Sequence, residues 1–407
     1  MPLVFVHGVG NRAVEDYIRS AQVRDLMFRR FLLPSFAVDP ASAQILNPFW
    51  GCYGAELGWG HASLPTRALE SLGDEEDDYL AAMVAALATD GTSADHILVT
   101  VAQRSMANAL DLLYASADLG RHPDQIADTI DLAARLVAYC RSRELGQPLA
   151  TELERHPWLG RVSNDGEFVD LLFEAAVGWD LDPDGDPIFD PSGSPVESMG
   201  AVSKARNLLT GGTRQLKRLA MNSAGPSLVD GARRVAAAKA SLFLGDVFAY
   251  LAHRGTSQEP GAIINTIAAA LDSAVSDSGN EPILVIAHSM GGNIVYDLLS
   301  FFRPDIAVDV LVTVGSQVGL FEELKLFRSS RPDIPRPGLA RVPTLGNVGA
   351  WVNVLDRSDF LGYRAGPVFE GAADYQYATG AIGAHGAYFH QPYFHARLAQ
   401  RVRGLLR

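Results

Sequence analysis

Short, continuous runs of apolar and β-branched residues alternate with helical stretches near both ends of the chain, and this alternation restricts the fold most. Strands with one wet face alternate apolar and polar residues, whereas strands buried on both faces are apolar throughout. Such strands belong to α/β proteins, in which helices cover both sides of a parallel sheet. We therefore predict an α/β fold with a mostly parallel sheet of about six strands, at residues 3–6, 43–50, 282–287, 308–314, 350–355 and 374–378.

The middle of the chain, residues 61–239, differs because alanine and leucine recur there at helical spacing. Helices are predicted at residues 77–89, 102–118, 124–143 and 166–176. We therefore predict that residues 1–60 and 240–407 form the α/β core. Residues 61–239 are predicted to form a mostly helical insertion after the second strand, which acts as a cap or lid.

Composition excludes several classes of protein. The 407 residues include 34 Lys and Arg against 47 Asp and Glu, a net charge of −13, whereas nucleic-acid binding needs a basic surface. Nucleic acid is therefore not an expected partner. Two cysteines, Cys52 and Cys140, are too few for a framework of several disulfides. No apolar run reaches the roughly 18 residues of a membrane span, and no signal peptide is evident, so we expect a cytoplasmic protein.

Charge is unevenly distributed within the predicted insertion. Ten acidic residues and no Lys or Arg lie in 165–197, whereas eight basic residues and one acid lie in 204–239. Two solvated faces explain this pattern, and so does a basic amphipathic lid or membrane-surface contact at 204–239. Residues 180–185 match half of a calcium loop, but Pro191 stands where that loop needs a bidentate glutamate, so no metal is expected.

The most specific local signal is the run Ile283-Leu-Val-Ile-Ala-His-Ser289-Met-Gly-Gly-Asn293. An apolar strand passes there into a helix, and Ser289 lies at the turn between them. A sharp strand–turn–helix junction exposes a serine hydroxyl at the edge of a sheet, and the small residues Ala287 and Gly291 let strand and helix cross closely. The helix N-terminus also directs N–H groups toward negative charge developing there. The pattern indicates a nucleophilic serine.

Three other features occur in a meaningful order around this motif. The turn His7-Gly8-Val9-Gly10 follows the first strand, Asp359 follows a later strand, and His385 lies near the C-terminus. With these residues, and with the chain order Ser289, Asp359, His385, the sequence resembles the α/β-hydrolases, in particular their lipase and esterase branch.

This resemblance covers about residues 1–60 and 240–407, and it departs from the family pattern at Ala287, where the family has glycine. It implies the α/β-hydrolase fold with a large helical cap insertion. It also implies a serine hydrolase with a Ser-His-Asp triad.

The hydroxyl of a serine needs an adjacent base, and the base needs an orienting carboxylate. His385 is the preferred base because it lies between small residues after the last predicted strand, at a predicted helix start. His390 and His395 are alternatives that lie further into this helix. His288 directly precedes the nucleophile, so we expect its side chain to point away and to be structural.

The acid is expected in the loop after the strand at residues 350–355, where Asp356 and Asp359 both qualify. Asp356 lies at the strand edge, where a carboxylate often bonds the following turn. The resemblance favours Asp359, because the acid of the family lies a few residues beyond this strand. Asp356 stays open as the alternative.

The resemblance further implies an oxyanion hole made by the backbone N–H groups of Met290 and Val9. The expected reaction is hydrolysis of carboxylic esters, most simply lipid-like acyl esters, through an acyl-enzyme and with no cofactor. A small-molecule or lipid ester is the expected substrate. Two alternatives stay open: an amidase, thioesterase or peptidase with the same triad, and a non-catalytic or partner-gated interaction protein.

Overall fold

Six parallel strands form one sheet in the computed structural model of the chain. The structure describes all residues except 1, 13, 38, 60–61, 63–91, 118, 180–198, 223–226, 280, 378–383, 387 and 406–407. The strands are β1 (Leu3–Val6), β2 (Ile45–Leu46), β3 (Leu284–His288), β4 (Val308–Val314), β5 (Val348–Asp356) and β6 (Ala372–Tyr377). Their spatial order is β2-β1-β3-β4-β5-β6, which confirms the predicted α/β class and parallel sheet.

The second strand is shorter than the predicted 43–50. Only Ile45–Leu46 pair with β1, and the chain then leaves the sheet. The reason lies at Trp50, whose backbone N–H donates to Nε2 of His7 (3.1 Å) instead of to a neighbouring strand. The Trp50 indole N–H also donates to the carbonyl of His7 (2.9 Å), so this segment fastens the turn after β1.

Twelve helices are numbered here in chain order among the described residues. They are α1 (Val14–Met27), α2 (Ile97–Arg104), α3 (Met106–Ser116), α4 (Ile126–Gly146), α5 (Glu152–Arg155), α6 (Asp165–Trp179), α7 (Met199–Asn222), α8 (Ser227–His253), α9 (Ala262–Ser278), α10 (Met290–Asp297), α11 (Val318–Glu323) and α12 (Pro392–Arg403). The π-helical turns Phe28–Leu32 and Leu298–Phe302 extend α1 and α10.

The predicted single helix at 102–118 is wrong, because the chain breaks at Ser105 between α2 and α3. The Ser105 side chain accepts the backbone N–H of Asn108 (3.2 Å) and so caps α3. Serine favours such local bonds over a position inside a helix. The helix predicted at 77–89 and the calcium-like pattern at 180–185 lie outside the described residues.

Helices cover both faces of the sheet. Residues of α9 and α10 and the end of α8 share one apolar core with β1 and β3. On the other face, the π-helical turn after α1 and residues of α12 pack against β1, β3, β4 and β5. The inner strands are therefore buried on both sides, which explains why β1 and β3 are nearly continuous apolar runs, whereas the edge strand β6 is partly exposed and partly polar.

The described helices of the predicted insertion form a further layer. Residues of α2, α3, α4, α6 and α7 make an apolar core with α1 and α12, on the outer side of the second face. Leu209 and Leu216 of α7 are fully buried in this core, so the apolar face of α7 is a packed surface. The helix α8 runs through the predicted boundary at 239–240 as one element.

Part of the basic stretch at 204–239 is ion-paired. Arg206 binds Asp170 of α6, and Lys217 binds Asp95 (2.6 Å). The side chains of residues 221–239 lie outside the described part, so the lid and the membrane-surface contact stay predictions. No helix in the described part of the chain has the length and apolarity needed to cross a bilayer. Both cysteines are free thiols, Cys52 exposed and Cys140 buried.

Candidate active site

Ser289 lies on a strained turn at the carboxyl end of β3. Its backbone has φ 54° and ψ −126°, and among the described residues other than glycine only Lys325 also has a positive φ. Such a conformation costs about 1–3 kcal/mol and persists only where neighbours enforce it. Here the N–H of Ser289 donates to Val314 of β4 (2.8 Å), and the Ser316 hydroxyl donates to the Ser289 carbonyl (2.9 Å).

Two glycines let neighbouring backbone approach this turn. A Cβ on Gly8 would lie 2.8 Å from Cβ of Ser289, and one on Gly291 would lie 2.5 Å from the carbonyl oxygen of Val6. Real Cβ atoms do not approach so closely, so glycine is needed at both positions. The turn after β1 therefore packs directly on the serine, as the pattern of small residues predicts. Ala287, where the family has glycine, is fully buried within the sheet.

The structure brings Ser289, His385 and Asp359 together, although they are distant in the chain. Nε2 of His385 lies 2.7 Å from Oγ of Ser289, and Nδ1 lies 3.0 Å from both carboxylate oxygens of Asp359. An ionised carboxylate only accepts hydrogen bonds, so Nδ1 of His385 carries the proton. Nε2 is then the acceptor for the Ser289 hydroxyl, which is the arrangement that a general base requires.

Asp359 is buried and remains an ionised partner. Burial acts to raise its pKa, but the hydrogen bonds from His385 and Tyr388, the electrostatic interaction with His385 and the Leu361 N–H outweigh burial and lower the pKa. The Tyr388 hydroxyl donates to Oδ2 of Asp359 (2.8 Å), and the Leu361 N–H donates to Oδ1 (2.9 Å). The Tyr388 oxygen in turn accepts the N–H of Asp356 (2.8 Å). Tyr388 thus joins the acid to the end of β5.

His288 contacts the segment that carries the base. Its Nε2 lies 2.8 Å from the carbonyl oxygen of His385, and because a carbonyl only accepts, Nε2 of His288 carries a proton. Burial, more than any neighbouring charge, lowers the pKa of His288 to about 3, so the ring is neutral near pH 7. The side chain predicted as structural therefore supports the segment that holds His385.

The alternative residues occupy other positions. Asp356 is buried, and its Oδ1 accepts the N–H of Ser358 (2.7 Å), which is the turn bond considered for it. His395 is fully buried in α12 and bonds the carbonyl of Phe389 (2.9 Å). His390 lies in the 3₁₀ turn Tyr388–His390. The imidazole that reaches Ser289 is that of His385.

Of the two residues predicted to form an oxyanion hole, Met290 directly follows the serine, and Val9 belongs to the turn that packs on it through Gly8. Met290 is the first residue of α10, and the first N–H groups of a helix have no partner within it. Val9 follows Gly8, which packs on Ser289. The turn that contains Val9 is held at Gly10, whose N–H donates to Asp246 of α8 (3.2 Å). Asp246 is buried and also binds Arg12.

The side chain of His7 also holds the turn that contains Val9. Its Nε2 accepts the Trp50 N–H, so Nδ1 carries the proton and donates to the carbonyl of Gly8 (2.7 Å). The His7 and Trp50 rings stack with centroids 4.9 Å apart and planes inclined by 4°. Burial is the main cause that lowers the pKa of His7 to about 4, which keeps this ring neutral.

The supporting residues carried no signal in the sequence. Tyr388, Asp246 and Gln317 are common residue types without a motif, and each acts across a long stretch of chain. Gln317, for example, donates from Nε2 to the carbonyls of Gly315 (3.0 Å) and Leu361 (2.7 Å), which holds the loop of Asp359.

Comparison with known proteins adds no assignment. No family model, no curated protein and no solved structure matches this chain. The function is therefore argued from the site. Its arrangement can remove a proton from a serine hydroxyl and stabilise the resulting imidazolium.

Proposed function

We propose that this chain has the α/β-hydrolase fold and is a serine hydrolase that cleaves carboxylic esters. The observation that carries the proposal is the continuous hydrogen-bonded series from Oγ of Ser289 through His385 to Asp359. It is built on a strained serine turn at the carboxyl edge of a parallel sheet, where ligands bind in open α/β folds. If the pair of His385 and Asp359 only stabilised the fold, it would not need a serine in a strained backbone conformation next to the imidazole.

In the proposed reaction, Oγ of Ser289 attacks the ester carbonyl carbon while His385 takes the hydroxyl proton at Nε2. The tetrahedral intermediate then collapses, the bond to the leaving alkoxide breaks, and His385 returns the proton to that oxygen. Water attacks the resulting acyl-serine with the same histidine as base, which releases the acid and restores Ser289. Asp359 holds the imidazole tautomer and stabilises the imidazolium throughout.

The N–H groups of Met290 and Val9 are proposed to bind the oxyanion. Each donor of this kind typically contributes about 2.7–4 kcal/mol to lowering the barrier. The bonds from Gly10 to Asp246 and from His7 to Gly8 support the second donor, because they fix the backbone on both sides of Val9.

An apolar acyl group is the proposed preference. Phe360 directly follows Asp359 and is 74% exposed, so a large apolar side chain lies beside the acid without being used in the core. Amides and thioesters would use the same catalytic groups, and a series of substrates separates them. We expect p-nitrophenyl esters to be cleaved with kcat/KM rising with acyl length, and the matching anilides to be cleaved far more slowly.

A fluorophosphonate probe tests the proposal, because it reacts with a serine only when a base activates it. Wild type should be labelled at Ser289, and Ser289→Ala should lose labelling together with roughly 10⁴-fold or more of esterase activity. Ser300→Ala is the matched control, since Ser300 follows α10 and bonds Ser329 (2.8 Å) away from the site. Folded wild type that resists the probe would instead favour the non-catalytic or partner-gated alternative.

A further inference from the structure

A fully buried carboxylate of the helical insertion contacts both sides of the chain segment that carries His385. Oδ2 of Asp111, on α3, accepts the hydroxyl of Tyr377 (2.6 Å), and Oδ1 accepts the backbone N–H of Tyr393 (3.0 Å). Tyr377 is the last residue of β6, and Tyr393 is the second residue of α12. His385 lies in the chain between these two tyrosines.

Each contact has a clear physical basis. The N–H groups in the first turn of α12 have no partner within the helix, and the positive end of the helix dipole favours a carboxylate there. The guanidinium of Arg397, one turn further along α12, lies over the rings of Tyr377 (5.3 Å) and Tyr393 (5.7 Å). The end of β6 and the start of α12 are therefore joined through one side chain of the insertion.

The middle of the same segment has its own contacts. His288 donates to the carbonyl of His385, and Tyr388 donates to Asp359, as described above. These contacts orient His385 locally, but they do not fix where the segment leaves the sheet or enters α12. Asp111, a residue of the insertion, forms hydrogen bonds at both of those points.

Burying a carboxylate is unfavourable, and Asp111 shows the consequence. Burial is the main cause that raises its pKa to about 7, against the lowering effects of the Tyr377 hydroxyl, the Tyr393 N–H and Arg397. An apolar residue of similar size would avoid this cost in a helical core. An apolar residue could not, however, form hydrogen bonds to the end of β6 and to the start of α12.

We propose that Asp111 is a positioning residue for His385, through which the helical insertion sets the distance between His385 and Ser289. The inference rests on the proposed function for its kinetic test. It gives the insertion a role in the reaction that does not depend on its covering the site. A shift of about 1 Å in a catalytic group can change a rate by roughly 10²-fold, so small displacements of this segment matter.

Three variants test the proposal. Asp111→Ala removes both hydrogen bonds. Asp111→Asn retains both, because its amide oxygen can accept the Tyr393 N–H while its NH₂ donates to the Tyr377 hydroxyl. Asp165→Ala is the matched control: Asp165 is also a buried carboxylate of the insertion, and it accepts the N–H groups of Ile97 (3.0 Å) and Val99 (3.2 Å), remote from His385.

We expect Asp111→Ala to lower kcat by roughly 10- to 100-fold with little change in KM, at a temperature where circular dichroism shows the folded state. Asp111→Asn should restore kcat to within about threefold of wild type. Asp165→Ala should lose thermal stability but keep kcat. If folded Asp111→Ala has the kcat of wild type, or if Asp165→Ala loses as much kcat, then Asp111 is only a part of the core and the proposal is wrong.

A second readout does not depend on turnover. The Nδ1 proton of His385 bonded to Asp359 gives a downfield ¹H NMR signal, assigned by its loss in Asp359→Asn. Asp111→Ala should shift or broaden this signal, and Asp165→Ala should not. An unchanged signal in Asp111→Ala overturns the proposal even if the chain cleaves no ester, whereas a changed signal without fluorophosphonate labelling of wild type refutes the proposed function alone.

Discussion

Two buried aspartates lie in closely similar surroundings, yet their pKa values move in opposite directions. Asp359 and Asp111 each accept one tyrosine hydroxyl, from Tyr388 and Tyr377, and one backbone N–H. Both are nearly or fully inaccessible to water. Burial raises the pKa of Asp111 to about 7, whereas the pKa of Asp359 is lowered in spite of burial.

The difference lies in the third partner. Asp359 faces the imidazole of His385 at 3.0 Å, a group that donates a proton and can carry charge. Asp111 has neutral donors in contact, and the charge of Arg397 acts only from beyond the two tyrosine rings. The hydrogen bonds from Tyr377 and Tyr393 lower the pKa of Asp111 but do not outweigh its burial, whereas the further hydrogen bonds and electrostatic interaction from His385 do outweigh burial at Asp359. Similar hydrogen-bond partners therefore keep Asp359 ionised near pH 7, whereas Asp111 titrates near that pH.

The largest expected effect is a loss of catalytic rate when Asp359 is changed. Asp359→Asn should lower kcat/KM by roughly 10³–10⁴-fold, because the amide cannot hold the imidazole tautomer and stabilise its charge. Asp356→Asn is the control in the same loop, and it should cost less than about tenfold. Measurement of kcat/KM on one ester decides the matter; a larger loss in Asp356→Asn would show that the acid has been assigned to the wrong residue.

The second effect concerns stability and its dependence on pH. A folded-state pKa of about 7 for Asp111, above the ordinary 3.8, means that between these values the folded chain holds a proton that the unfolded chain has released. Stability from this group is full below about pH 4 and is lost as pH rises toward 7.

Asp111→Asn removes this titration and isolates its contribution. The free energy of unfolding of the variant, relative to wild type, should increase between pH 4 and 7 by on the order of 3–4 kcal/mol. Urea denaturation at several pH values measures it. A constant difference would show that Asp111 is ionised throughout, and the contrast between the two aspartates would then disappear.

The smallest effect compares the two tyrosines. Tyr388→Phe removes a hydrogen bond to the charged Asp359, worth about 1.5–3 kcal/mol, and we expect kcat to fall by roughly tenfold or somewhat more. Tyr377→Phe removes the equivalent bond to Asp111 and should act mainly on stability, with a smaller fall in kcat. Parallel kinetics and thermal unfolding of both variants test this order; equal falls in kcat would mean that the two regions support His385 equally.

The strands and the serine turn were predictable because they depend on local pattern. Apolar runs marked the buried strands β1, β3, β4 and β5, and the motif around Ser289 indicated its turn, whereas the partly polar β6 was predicted only as a short last strand. The positions of His and Asp after the later strands indicated His385 and left Asp356 and Asp359 both open, and the family resemblance favoured Asp359. The structure distinguishes the two aspartates through His385, whose Nδ1 bonds to Asp359, and Tyr388 supports this contact without any sequence signature.

Contacts between distant residues account for what the sequence did not predict. The bond from Asp111 to Tyr377 joins α3 to β6, and nothing near either residue marks the other as its partner. The leucines of α7 have the spacing of both a lid and a packed helix, and only the position of α3, α4 and α6 decides that they are buried. Periodicity gives the apolar face of a helix but not what covers it.

The position of β1 between β2 and β3 has a consequence for the synthesis of the chain. β1 pairs with β2 on one side, but its other side pairs with β3, with Leu3 opposite Leu284. A growing polypeptide on the ribosome therefore carries an apolar strand with one open edge until the residues of β3, about 280 positions later in the chain, have been made. The helices α2 to α7 are made during that interval, before β3. Any contact that covers the open edge of β1 in this period protects the nascent chain from aggregation.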